Sequence, residues 1–304
     1  MNHLDTFLKA TEATRKVSSH YQSVTLSAFF GIVLLVISLY YTNTTDLQFV
    51  GIAIFLFVFV FAGLKAAKAD QAFRDATSRA IMPLVSEILG VEVGHSSGKS
   101  EKEAMRTIIT DSQLLGEYFN QVETDDVYTL PGALPAVVEE LFLSQQSGSG
   151  KNQRTAKVFH GSLITVQLPK FLLGETYIST EGEKGRFVHS KFWNRITNTQ
   201  IINETQLEWN EFERDLHVAA SDPVEAREIL APDFMLKLHT WWSEKKENIR
   251  IVFKGNQMIM LLPDNEVTLG SISASKNPKY LKRYLTSIVK PLERTINLVA
   301  AIRL

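Results

Sequence analysis

The chain has 304 residues, is 45% apolar and 21% charged, and carries 32 basic against 33 acidic side chains for a net charge of −1. That balance gives no basic excess to neutralise phosphates, which argues against a nucleic-acid partner. The absence of cysteine excludes disulfides, thiolate zinc sites, iron–sulfur ligation and cysteine nucleophiles together.

Residues 1–23 read as an N-terminal helix. Leu4, Phe7 and Leu8 share a face, but Thr11 and Arg15 continue it as polar residues, so the apolar stripe is short. Residues 24–64 then hold one charged residue, Asp46. Val24–Tyr41 and Leu47–Leu64 are eighteen-residue segments with no charge, each about 27 Å long as a helix against a hydrocarbon core of roughly 30 Å. Eleven and thirteen of their residues are Leu, Ile, Val or Phe, and neither keeps the polar stripe of a soluble helix. The run is too long for a signal peptide, and no small-residue cleavage site follows it. The short "TNTTD" linker makes the pair an antiparallel transmembrane hairpin. Lys9, Arg15 and Lys16 precede it and Lys65, Lys68, Arg74 and Arg79 follow, while the linker has no Lys or Arg. The positive-inside rule therefore expects a multi-pass protein of the bacterial inner (plasma) membrane with both termini cytoplasmic.

Residues 65–143 are expected to form a helical connector, the second span continuing as helix to Pro83. "GHSSGKS" at 94–100 resembles a phosphate-binding loop, but the required first glycine would fall at Val93. The alternative is a Gly/Ser loop with Ser100 capping the next helix and Glu103 completing a capping box. "TLPGALP" (129–135) is a turn, and the Gly/Ser-rich 144–156 is expected as a flexible loop.

Residues 157–304 are expected to be a cytoplasmic α+β domain of short antiparallel strands and helices. Strand candidates are 157–168, 175–180, 186–192 and 215–221. Asp222, Pro223 and Glu225 mark a helix start with a capping box, and 232–244 continues as helix. Residues 249–262 read as a hairpin turning at Gly255–Asn256. From Pro278 to Ile302, apolar residues recur every three or four positions and Pro291 kinks or restarts the helix.

Motifs for chemistry are sparse. The seven histidines show no metal-ligand spacing, although His160, His189 and His217 would meet if their strands were neighbours. "EWNEFERD" gathers Glu208, Glu211, Glu213 and Asp215, a carboxylate cluster that reads as a solvated strand end. No catalytic residue, cofactor or metal site is expected. Glu225 and Arg227 read as structural, with anion binding as the alternative for the arginine. Trp241 and Trp242 point about 100° apart on a helix, so one is expected in the core and the other as a contact surface.

The stretch resembles a known family. "VFHG" (158–161), Leu207, Glu208, Phe212 and Val218, and above all "DPVEAREILAPDFM" (222–235) are similar to the uncharacterised bacterial two-span membrane proteins with domain of unknown function 3137. Leu216 stands where the family usually has a second Phe, and Ala231 where it has Thr. The likeness is read over most of residues 60–262, strongest over 205–236. It implies the anchor, connector and domain layout, and no activity. The expected role is a scaffolding or protein-interaction module, with the lipid bilayer, an unknown protein partner and a homo-oligomer as partners. Phe234, Trp241 and Trp242 join Glu225 and Arg227 as interaction or structural candidates. A membrane-tethered hydrolase or nucleotide-binding enzyme is the alternative.

Overall fold

The computed structural model describes residues 3–41, 46–96, 102–148, 153–180, 183, 202–244, 246–263 and 278–302. It divides into two compact units, Met1–Leu84 with Ser271–Leu285, and Val85–Gly270 with Thr286–Leu304.

In the first unit, α1 (His3–Tyr41) is one continuous helix, so the N-terminal segment leads straight into the first apolar stretch. The second helix, α2 (Asp46–Leu89), folds back on it, bringing the Phe29 and Phe59 rings to 6.3 Å. Both helices are long and apolar enough to cross a membrane, and only 6% of the most apolar window of each is buried. Leu26, Phe30, Leu34, Phe57 and Leu64 are all exposed. The expected stop at Pro83 does not occur; α2 runs on to Leu89. Proline's fixed φ is helical and it forfeits one hydrogen bond, while Ile81, Met82 and Val85 around it are buried.

Among the described residues, the second unit is an antiparallel sheet of seven strands. They are β1 (Gly94–Ser96), β2 (Gln121–Leu130), β3 (Ala136–Ser147), β4 (Arg154–Thr180), β5 (Asn203–Glu204), β6 (Leu216–Ala220) and β7 (Arg250–Pro263), in the order β1-β2-β3-β4-β6-β5, with β7 on the other side of β4. The helices are α3 (Lys102–Ser112), α4 (Asn210–Asp215), α5 (Pro223–Ile229), α6 (Pro232–Ser243) and α7 (Pro278–Val299). Against one sheet face, Met105 and Ile109 of α3 share a core with Val122, Leu141, Phe159, Tyr177, Val252 and Leu261. The next residue of β7, Phe253, faces the other way and meets Phe234 of α6 edge to face at 5.9 Å.

Three expectations are corrected. The helical connector over 65–143 ends in sheet, because β1, β2 and most of β3 lie inside it. In β2 every second residue is buried from Val122 to Leu130, but two of those inward positions are Thr124 and Asp126, so an apolar alternation is not visible. Asp126 tolerates burial because His95 lies 2.8 Å from it. The expected loop 144–156 is largely hairpin, with Ser144–Ser147 paired to Arg154–Lys157. The strands are also long rather than short. The candidates 157–168 and 175–180 are two arms of the 27-residue β4, and 249–262 is one strand rather than a hairpin. Both arms of β7 pair with β4, and the left-handed Gly255 (φ 59°) absorbs a bulge instead of a turn. The candidate strand 186–192 and the capping residue Ser100 lie outside the described residues.

One buried cation ties the sheet to its surroundings. Arg250 at the start of β7 donates from Nε to Glu183 at 2.5 Å and from Nη1 to the Leu114 carbonyl at 3.0 Å. Removing one partner leaves an uncompensated buried charge, so Arg250→Met is expected to cost about 3–5 kcal/mol in urea denaturation. Adding Glu183→Leu to it is expected to recover part of that loss; a double variant no more stable than the single one contradicts this reading.

Candidate functional site

β4 and β7 fall out of step in mid-strand. From Gln167 to Glu175 β4 advances eight residues, while β7 passes only from Gln257 to Lys254. The surplus within Pro169–Gly174 falls on both sides of Leu172, which is buried and still pairs with Gly255, so the strand is bulged twice. Pro169 has no N–H to give to the ladder. On the other side of the bulge sits α5, whose start is fixed by Asp222; its carboxylate accepts from Val224 N at 2.8 Å and Glu225 N at 3.2 Å.

Glu225 does not close the expected capping box. Its carboxylate turns to the bulge and accepts from Leu173 N at 3.1 Å and Gly174 N at 2.7 Å. Space at Gly174 is tight: a Cβ there would come 3.0 Å from the Asp222 Cβ and 3.1 Å from Glu225 Oε2, so those side chains would have to give by a few tenths of an ångström. Further bonds lock the junction. Glu175 N donates to Ser221 Oγ at 2.8 Å, Ser221 N to the Glu175 carbonyl at 2.9 Å, and Lys170 pairs with Glu228 at 2.8 Å. The Glu175 carboxylate accepts from Lys254 at 2.7 Å and from the Tyr177 hydroxyl at 2.8 Å. Burial, with that carboxylate beside it, pushes the Tyr177 hydroxyl well above the usual tyrosine range, so it stays a donor.

This tightly bonded junction presents an apolar surface to solvent. Phe171 is 67% exposed, Leu173 82% and Val224 66%. Arg227 shares the outer face of α5 with Val224, three residues away, and is also exposed. Among the described residues no carboxylate pairs with Arg227, since neighbouring Glu228 is taken by Lys170. Within 222–235, then, Asp222 caps, Glu225 clamps, Ala226, Ile229, Leu230, Phe234 and Met235 are buried, and Val224 and Arg227 have no packing role. Phe171 and Leu173 were not singled out from the sequence because 169–174 falls in the gap between the strand candidates 157–168 and 175–180; the bracketing Pro169 and Gly174 were the available signal.

Sequence reading expected one exposed tryptophan, and both are buried. Trp241 donates its indole N–H to the Arg294 carbonyl at 3.0 Å, with the Arg294 guanidinium 4.4 Å from its ring; Trp242 donates to the Glu247 carbonyl at 2.9 Å. They fasten α6 to its neighbours. His160 lies 3.3 Å from Glu140 and His217 3.0 Å from Glu204, each on its own carboxylate, and His189 lies outside the described residues. In the acidic run Glu208 and Glu211 are exposed, and Glu213 accepts from Leu207 N. Asp215 meets His239 at 3.0 Å beside Trp209, Phe212 and Trp242. The bond from His239, then that from Arg214, holds the Asp215 carboxyl below its ordinary range.

Residues 157–304 match the family described as "Protein of unknown function (DUF3137)", which shows the resemblance over that stretch. The match begins at the Val158 strand, not near residue 60, and reaches the last residue. No curated protein matches the chain. A solved structure, the crystal structure of the mycobacterial trehalose monomycolate transport factor A, TtfA, is 10% identical, covers 73% of this chain and 94% of its own, and has a TM-score of 0.36. A likeness at that level specifies neither ligand nor activity.

Glu225→Ala removes the acceptor of two backbone donors that water can reach and is expected to destabilise the sheet unit by about 1 kcal/mol, with Glu225→Gln costing less, read from urea midpoints. The lowered Asp215 pKa makes its contribution to stability present above the ordinary carboxylate range and lost as pH falls through the lowered value. Asp215→Asn is therefore expected to flatten the acid limb of the stability–pH profile, read from urea midpoints.

Proposed function

We propose, from the DUF3137 match over residues 157–304 and the exposed apolar surfaces of both units, that this protein is a membrane-anchored interaction module. The α1–α2 hairpin spans a bacterial inner membrane, and the sheet unit offers the platform of Phe171, Leu173, Val224 and Arg227 to a protein partner. The anchor reading is supported by the exposed apolar side chains of the hairpin, each worth about 1.5–3 kcal/mol when removed from water. Lys and Arg flank the hairpin on one side only, which supports cytoplasmic termini.

The observation that carries the interaction reading is the set of bonds that holds exposed Phe171 and Leu173 in place. A loop that merely tolerates exposed Phe and Leu has no need of a carboxylate clamp, a lysine–glutamate pair and two further bonds to hold it. Large apolar side chains held in solvent beside an exposed cation have the composition of interface centres, which are apolar and enriched in Phe and Arg.

The test is in-membrane crosslinking with a photoreactive residue at position 171 or 173, followed by identification of the captured proteins. A discrete adduct is expected, lost on Val224→Ser with Arg227→Ala although the protein stays folded and membrane-bound. Adducts to abundant proteins alone, insensitive to those changes, would overturn the reading.

A further inference from the structure

The sheet unit holds a second apolar feature, remote in sequence from the platform. An open cavity of about 310 Å³ lies between the turn joining β2 to β3 and the C-terminal turn of α7. Its floor is buried Leu130, Ala136 and Ile302, its walls include Leu134, Ile296 and Val299, and exposed Ala133 and Ala300 sit at its rim. None of the eleven lining residues is aromatic and none has a polar side chain.

We propose that this cavity is a binding site for a single alkyl chain. Its volume is roughly twice the ~150 Å³ that admits benzene in an engineered apolar cavity, and at about 30 Å³ per heavy atom it takes roughly ten carbons. The lining is mainly apolar and offers no polar side chain to compensate a buried polar or charged group, which favours an apolar ligand over a polar metabolite. It also offers no ring to stack on, which suits a slender aliphatic chain. The cavity opens to solvent, so a chain enters tail first and leaves its polar end in water. Small residues at the mouth keep it open: glycine at 132 and alanine at 133 and 300. The chain's source is either a free amphiphile or a bilayer lipid, and only the second rests on the membrane reading above.

The test uses the full chain in lipid nanodiscs with two diazirine probes, decanoic acid added free and a phosphatidylcholine carrying the diazirine in its acyl chain. Light-induced label is expected on peptides covering 130–136 and 296–302. Label from free decanoic acid alone identifies a soluble amphiphile as source, and label from the phosphatidylcholine a membrane lipid. Ala300→Trp is expected to cut that labelling several-fold; Ala133→Trp, on the exposed turn, serves if the first variant does not fold. Absence of label at these peptides from both probes, or label unchanged by either tryptophan, would overturn the proposal. Phosphatidylcholine label on α1 and α2 reports the membrane reading separately, so the two fail independently.

Discussion

Everything else in this molecule is arranged around apolar surface that the protein itself does not cover. Along α1 and α2, phenylalanines and leucines face outward on all sides, and protein buries only a small share of the most apolar windows. Water is a poor solvent for such a surface, and backbone polarity is no obstacle to removing it from water, because a helix satisfies its own N–H and C=O groups. Both helices of the hairpin meet these two conditions. Under the proposed reading, the hairpin fixes the sheet unit at a surface and restricts the partners it encounters.

Within the sheet unit the equivalent organising feature is β4. Its first half pairs with β3, its last five residues with β6, and β7 runs beside both halves. A strand that long needs a place to relieve its twist. The relief comes at Pro169–Gly174, where Glu225 catches the backbone that leaves the ladder. Strain relief and surface presentation thus share one device: the residues displaced from the ladder, Phe171 and Leu173, become the exposed platform.

The hairpin was legible because uninterrupted apolar composition has few structural meanings. The start of α5 was legible from Asp222 and Pro223, which act locally. What stayed hidden depends on long-range partners. β2 was disguised by Asp126, whose burial makes sense only once His95 stands beside it. The Gly255–Asn256 pair signals a left-handed residue, and only the neighbouring strand decides whether that becomes a turn or a bulge. Glu225 was read as a local cap, and its true partners lie some fifty residues earlier. One of the two adjacent tryptophans was assigned to the surface because periodicity cannot see the Arg294 and Glu247 carbonyls that accept their N–H groups.

The absence of cysteine makes the decisive measurement simple, since any introduced thiol is the only one present. Single variants Leu34→Cys, Phe57→Cys and Tyr118→Cys, the last on the exposed surface of the sheet unit away from the platform, are exposed in native membranes to a membrane-impermeant maleimide before and after the bilayer is opened. Placement of the hairpin in lipid predicts that positions 34 and 57 stay unreactive until detergent is added. It predicts that position 118 reacts as soon as the cytoplasmic face is reached. Rapid labelling of 34 and 57 in sealed membranes, at the rate seen for 118 in opened ones, would contradict it.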